Sequence, residues 1–314
     1  MFVINHKKIF FTFSGLLVAS AIFIISFFGL NFGIDFKGGA ILEMAYPVSE
    51  NLDVIPPSLE DLKLDLQKLD LGNFTVQETS FDDNQNTVEG VILRTRDLTE
   101  EERLLIVSTI SQDGQYQIEE KRYNSIGPVI GKELREQALW AFLVVTLAII
   151  LFIAFAFRKV TEVTNSDSKV SSWKYGFAAI IALVHDTIIP TGIFALLGHY
   201  FINYQIDTIF VMAILAILGF SVNDTIVVFD RIRENLSIAK KETFNETVGK
   251  SLRQTVTRSI NTSLTTLAVL LALYFWGGEA TRQFALILSM GVVVGTYSSI
   301  FLASPLLTLF KKSK

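Results

Sequence analysis

The sequence predicts a polytopic α-helical membrane protein: six transmembrane helices with one external ferredoxin-like α+β domain between helices 1 and 2. Three observations carry this. Half of the 314 residues are hydrophobic and only 18% are charged, where soluble domains carry about a quarter. Long uncharged apolar stretches alternate with polar segments. The long polar segment after the first stretch reads as strands and helices in the order βαββαβ.

The spans follow from length and charge, since a bilayer core takes about 20 apolar residues as helix. Residues 9–30 carry no charge. They exceed the roughly 7–15-residue core of a cleaved signal and read as an anchor. Residues 138–157 have Thr146 as their one polar side chain. Residues 176–197 are interrupted by His185 and Asp186, and 208–229 by Asn223 and Asp224. Residues 259–276 follow Arg258, and 284–310 carry no charge. The organisation is then 1–30 for the N-terminus and first helix, 31–135 for the external domain with its linkers, and 136–314 for helices 2–6.

Lys and Arg in short loops set the direction. Lys7 and Lys8 precede helix 1. Arg158, Lys159, Lys169 and Lys174 follow helix 2. Arg231, Arg233, Lys240, Lys241, Lys250, Arg253 and Arg258 follow helix 4, and Lys311, Lys312 and Lys314 end the chain. With six spans these all fall on one side, whereas the opposite short loops hold only Arg282. Both termini are expected in the cytoplasm. The segment 31–139, with 21 acids against 10 bases, is expected outside.

Within that segment, 41–46 reads as a strand. Ser58 caps a helix over 59–69, with Leu59, Leu62, Leu66 and Leu69 on one face. Residues 74–81 and 88–95 read as strands about a turn at Asp82-Asp83-Asn84. Thr99 caps a second helix whose first turn is acidic. Asp113-Gly114 turns into a last strand, 116–123. No catalytic constellation is visible there, and a rigid solvated domain is the plainer reading.

Several chemistries are excluded or unsupported. There is no cysteine, and the three histidines His6, His185 and His199 are scattered, so no metal site is expected. Gly249-Lys250-Ser251 has the end of a phosphate-binding loop, but the position five before Gly249 is Phe244, not glycine. No nucleotide, cofactor, nucleic-acid partner or enzymatic activity is expected. The energy source is then an ion gradient or a partner.

An ionisable side chain inside a span costs at least about 2.5–3.5 kcal/mol and marks a functional candidate. Asp224 is the sharpest, with Arg258 across the antiparallel neighbour as its expected counter-charge. Thr262, Thr265 and Thr266 continue from Arg258 as a polar face expected to look into the bundle. The bland alternative is a static ion pair that fixes helix packing. Asp186 and His185 divide evenly between relay and packing, with Pro190 one turn on removing the backbone bond to Asp186. Gly291, Gly295 and Ser299 form a small-residue stripe for close helix approach, and Gly219 has the same expected role. Gly33, Asp35, Gly38 and Gly39 on leaving the membrane, and Gly127, Pro128 and Gly131 before returning to it, read as linkers or hinges.

Five segments resemble the SecD/SecF family of the resistance-nodulation-division superfamily, on its SecF side. They are Gly33-Ile34-Asp35-Phe36-Lys37-Gly38-Gly39, Ser125-Ile126-Gly127-Pro128-Val129-Ile130-Gly131, Val184-His185-Asp186, the run 219–235 that contains Gly219-Phe220-Ser221-Val222-Asn223-Asp224, and the run 258–266 from Arg258-Ser259-Ile260-Asn261-Thr262. The resemblance spans nearly the whole chain. It implies pairing with SecD into a twelve-helix unit. It also implies association with the SecYEG channel, with YajC and YidC and with the translocating polypeptide, and use of the proton motive force late in export. It implies proton passage at the residues matching Asp224 and Arg258. One departure is Phe220, where many relatives have Tyr. Two other readings stand beside this one: a small-molecule or lipid exporter half, which a single six-helix half argues against, and a non-conducting scaffold for the channel.

Overall fold

The computed structural model describes residues 2–47, 56–83, 86–157, 172–201, 203–238 and 242–310. Arg158, Lys159, Lys169, Lys240, Lys241, Lys311, Lys312 and Lys314, used above for direction, and Asn84 of the expected turn lie outside the described residues. The chain divides into two compact units, 32–137 and 1–31 with 138–314.

The helical unit holds α1 (Phe2–Asn5), α2 (Lys7–Phe28), most of α6 (Pro128–Ala156), α7 (Ser172–Tyr200), α8 (Thr208–Ile238), α9 (Phe244–Trp276) and α10 (Glu279–Ser298). A π-helical turn, Ser299–Ala303, and a short α11, Ser304–Leu307, complete the last rod. Among the described residues six helices are long and apolar enough to cross a membrane, matching the expected number. They run past the apolar cores read from the sequence. The fifth begins at Phe244 rather than at 259, because Thr243 and Glu246 make a reciprocal capping box there. The third and sixth spans bury 50% of their apolar windows within the chain, the first two only 11% and 6%. The outward faces of those two, such as Phe23, Phe27, Trp140 and Leu143, are therefore left for lipid or a partner. Near one end of α8 the core is aromatic: Phe157 and Tyr175 stack at 5.3 Å, and Phe229 meets both edge-on.

The sixth span is not the uninterrupted helix expected. Pro305 lacks an amide hydrogen and its ring crowds the carbonyl four residues earlier. The preceding turn widens, and Ser304 Oγ donates to the Ser299 carbonyl five residues back at 2.8 Å.

The α+β unit holds α3 (Ile34–Lys37), β1 (Gly39–Ala45), α4 (Leu59–Gln67), β2 (Thr75–Asp83), β3 (Asn86–Thr95), α5 (Glu100–Ile110) and β4 (Glu119–Ile126). Its sheet has the order β2-β3-β1-β4 with every pair antiparallel. That is the expected ferredoxin-like arrangement. Leu42, Met44, Leu62, Leu66, Leu93, Ile106 and Ile110 form its core. The last strand begins three residues later than read, because the Tyr116 amide is used to close the end of α5 on the Ser111 carbonyl.

The two glycine-rich segments meet inside this unit. Gly39 pairs with Ile126, and a Cβ on Gly39 (φ +127°) would lie 2.6 Å from the Thr95 carbonyl oxygen. A Cβ on Gly131 would lie 2.9 Å from the Gly38 amide nitrogen. Pro128 and Gly131 are helical rather than linker residues, contrary to expectation. Pro128 is the first residue of α6, where its missing amide hydrogen costs nothing. Gly131 is helical and small so that Gly38 can approach.

Candidate functional site: two carboxylates facing one helix end

Asp186 on α7 is fully buried. Its Oδ2 accepts hydrogen bonds from Ser221 of α8 and from Ser298 of α10, the latter at 2.6 Å. Its Oδ1 lies 2.8 Å from His185 Nδ1. With Asp186 ionised its carboxylate only accepts, and Nδ1 then carries the hydrogen. Among the described residues, buried His185 Nε2 has no hydrogen-bond partner. The imidazole stacks against Tyr297 with ring centroids 6.0 Å apart, and Ser14 of α2 donates to the Tyr297 oxygen at 3.2 Å.

Asp224 lies one turn beyond Ser221 on the same face of α8. Ser259 of α9 donates to its Oδ1 at 2.5 Å, and Ser299 donates to its Oδ2. The helix end at 298–299 thus serves both acids with adjacent hydroxyls. A further polar contact joins Ser263 to Thr296 at 2.5 Å, one turn along α9 and α10.

The close approach behind this geometry comes from glycine. A Cβ on Gly291 would lie 2.1 Å from Ile217, and one on Gly295 3.1 Å from the Ser221 Cβ. The stripe read from the sequence therefore brings α10 onto α8 where the serines need it. Gly219 does not share that role: its face is exposed and a Cβ there would meet nothing. Another close contact was missed at Gly192 of α7, whose Cβ would lie 2.5 Å from Ala21 on α2.

The expected Asp224–Arg258 ion pair does not form. Depth was right, because the next residue, Ser259, is the one that reaches Asp224. A helix turns about 100° per residue. Arg258 is accordingly rotated away into an exposed groove beside Val227, Asp230, Arg231 and Glu234. Thr262 and Thr265 are likewise exposed, each donating to its own helix backbone, and so do not line the bundle interior. The buried polar face of α9 is Ser251, Thr255, Ser259 and Ser263. Its spacing of four residues was readable in the sequence. Ser298 and Ser299 gave less signal, since serine is common and the wide turn that presents them depends on Pro305.

No group of acids and histidines able to hold a metal occurs among the described residues.

Comparison with known proteins agrees with this architecture. A family described as the SecD/SecF protein export membrane protein, C-terminal, matches residues 106–313. The SecD/SecF GG motif matches residues 23–46. The chain is 39% identical over 313 residues to the protein translocase subunit SecF of Thermobaculum terrenum, covering 97% of this chain and 92% of that one. It is 38% identical over 302 residues to its counterpart in Desulfurispirillum indicum, covering 95% and 88%. The crystal structure of SecDF, a translocon-associated membrane protein from Thermus thermophilus, matches 99% of this chain with a TM-score of 0.78 and 30% identity. This chain spans 38% of the length of that SecDF chain.

Proposed function

The chain belongs to the SecD/SecF family of protein export membrane proteins, and from that premise we propose that it is a SecF-type subunit of the Sec machinery, coupling the proton motive force to late polypeptide translocation. The observation that carries the coupling is the setting of Asp224. Among the described residues its carboxylate is bonded only by the neutral hydroxyls of Ser259 and Ser299. An ionised carboxylate within a membrane span and without a bonded cation is strained, and neutralising it by a proton relieves the strain. One proton crossing about 100 mV releases about 2.3 kcal/mol, enough to bias a helix rearrangement.

Asn223, Arg258, Thr262 and Thr265 support a partner half. They are exposed on membrane helices of this chain, where lipid is a poor neighbour for polar groups. A SecD half covering this stripe satisfies them and supplies a second six-helix set. The SecYEG channel, with YajC and YidC, is the larger assembly. The Lys and Arg bias of the loops supports an inner-membrane protein with both termini in the cytoplasm.

The test is export into vesicles that contain the channel, the motor ATPase, the SecD half and either this chain or its Asp224→Asn variant, with pH and sodium gradients imposed independently. The variant is expected to assemble and to keep ATP-driven export while losing the increment driven by the proton gradient. Retention of that increment overturns the reading.

A further inference from the structure

We propose that His185 and Asp186 form a second proton-binding site, coupled to Asp224 through the adjacent hydroxyls of Ser298 and Ser299. This rests on Asp224 being a titrating group, but it adds a separate site on a different helix. Three observations converge on it. Asp186 is the more deeply buried of the two acids and accepts three hydrogen bonds. Its neighbour His185 supplies the one titratable base bonded to either acid among the described residues. With Nδ1–H committed to Asp186, Nε2 offers a lone pair that has no partner among the described residues, buried beside a groove of about 450 Å³ between α2 and α7. Proton uptake forms one N–H bond at Nε2 and breaks one O–H bond of the hydronium that delivers the proton. The imidazolium is balanced by the Asp186 carboxylate it already touches, so the cluster takes a proton without leaving a lone buried charge.

The coupling is built into the helix end. Ser298 and Ser299 are consecutive, both are fully buried, and each donates to a different carboxylate. Consecutive residues of a helix point about 100° apart, so the two acids approach α10 from two sides of one turn. Ser221 and Asp224 repeat the link on α8, three residues apart: one bonds Asp186, the other is the second acid. A shift of α10 or α8 that improves one set of bonds therefore disturbs the other. The titratable and charged groups around the cluster are His185 on α7, Asp224 on α8 and Tyr297 on α10. From α2 and α9 the facing polar groups are the neutral Ser14 and Ser259, and Arg258 points into its own groove.

The test is an infrared carboxyl titration of the purified chain with its SecD half in lipid nanodiscs. It compares wild type, Asp186→Asn, His185→Gln, Asp224→Asn and the double variant Ser298→Ala/Ser299→Ala. Asp186→Asn is expected to remove one carboxyl signal and to move the Asp224 midpoint by about one pH unit or more, the mark of coupled sites. His185→Gln is expected to move the Asp186 signal. In the serine double variant both signals persist, and adding Asp186→Asn to it no longer moves the Asp224 midpoint. An Asp224 midpoint that is unchanged in Asp186→Asn overturns the coupling. An Asp186 signal unaffected by His185→Gln overturns the second site. Failure of Asp224→Asn to change export sinks the transport reading and leaves these spectroscopic outcomes to decide the present one.

Discussion

Ile217 of α8 occupies the space a side chain on Gly291 of α10 would need: a Cβ there would fall 2.1 Å from the Ile217 Cγ1. Gly291→Ala is therefore expected to destabilise the helical unit by about 1–3 kcal/mol through overpacking. Gly219→Ala, on a face with nothing within 4 Å, is expected to be neutral or to stabilise by up to about 1 kcal/mol, because alanine is the better helix former. Thermal unfolding of the two solubilised variants beside the parent checks the contrast. Equal melting points would dismiss the contact.

Ser259 and Arg258 are sequence neighbours with opposite expected phenotypes. Ser259→Ala removes a donor from the Asp224 carboxylate, an interaction class worth about 1.5–3 kcal/mol. It is expected to lower stability in the isolated chain and to impair gradient-dependent export. Arg258→Gln touches an exposed side chain and is expected to change the isolated chain by less than about 0.5 kcal/mol. Its cost is expected in co-purification with the SecD half. Normal co-purification of Arg258→Gln would show that the exposed stripe is not that interface.

Gly39 and Gly114 both have positive φ, at +127° and +89°. Only Gly39 is also crowded, with the Thr95 carbonyl 2.6 Å from the missing Cβ. Gly114→Ala is expected to cost about 1 kcal/mol from backbone strain alone. Gly39→Ala is expected to cost more and to loosen the pairing of β1 with β3. Protease sensitivity of 32–137 in membrane vesicles separates them, and similar cleavage rates would contradict the close approach.

Glu102 gives the α+β unit a pH dependence. The Arg96 guanidinium, then the Thr99 amide, hold its carboxyl down at about 2 from an ordinary 4.5. The folded value is depressed, so the stabilisation is complete above about pH 4.5 and fades as pH falls toward 2. Hydrogen exchange at the start of α5 is expected to accelerate over that interval in the parent. In Glu102→Gln this segment is expected to exchange faster at neutral pH and to lose the acid-dependent step. An unchanged acid profile in the variant would remove Glu102 as its source.

Spans and fold were legible because each has a local cause. Bilayer thickness sets a run length, and Ser58, Thr99 and the alternation of 74–81 mark caps and strands without distant information. Depth was legible too, since Asp224 and Arg258 were placed level. Rotation was not: hydropathy says how far along a span a residue lies, while a single step from 258 to 259 turns it from the outside of the bundle to the inside. Asp186 was undervalued for a related reason. Its importance comes from Ser221 and Ser298, which are 35 and 112 residues away and indistinguishable by type from any other serine.

The wide turn at Ser299–Ala303 holds one residue more than an α turn does. Closing it into an ordinary helix without removing a residue would swing everything beyond it by about 100°. Thr308 would then swing off the Lys7 ammonium that it now meets at 2.8 Å, unclasping the last helix from the first. What keeps the first and last spans fastened here is therefore the width of one helical turn, and Pro305 with it.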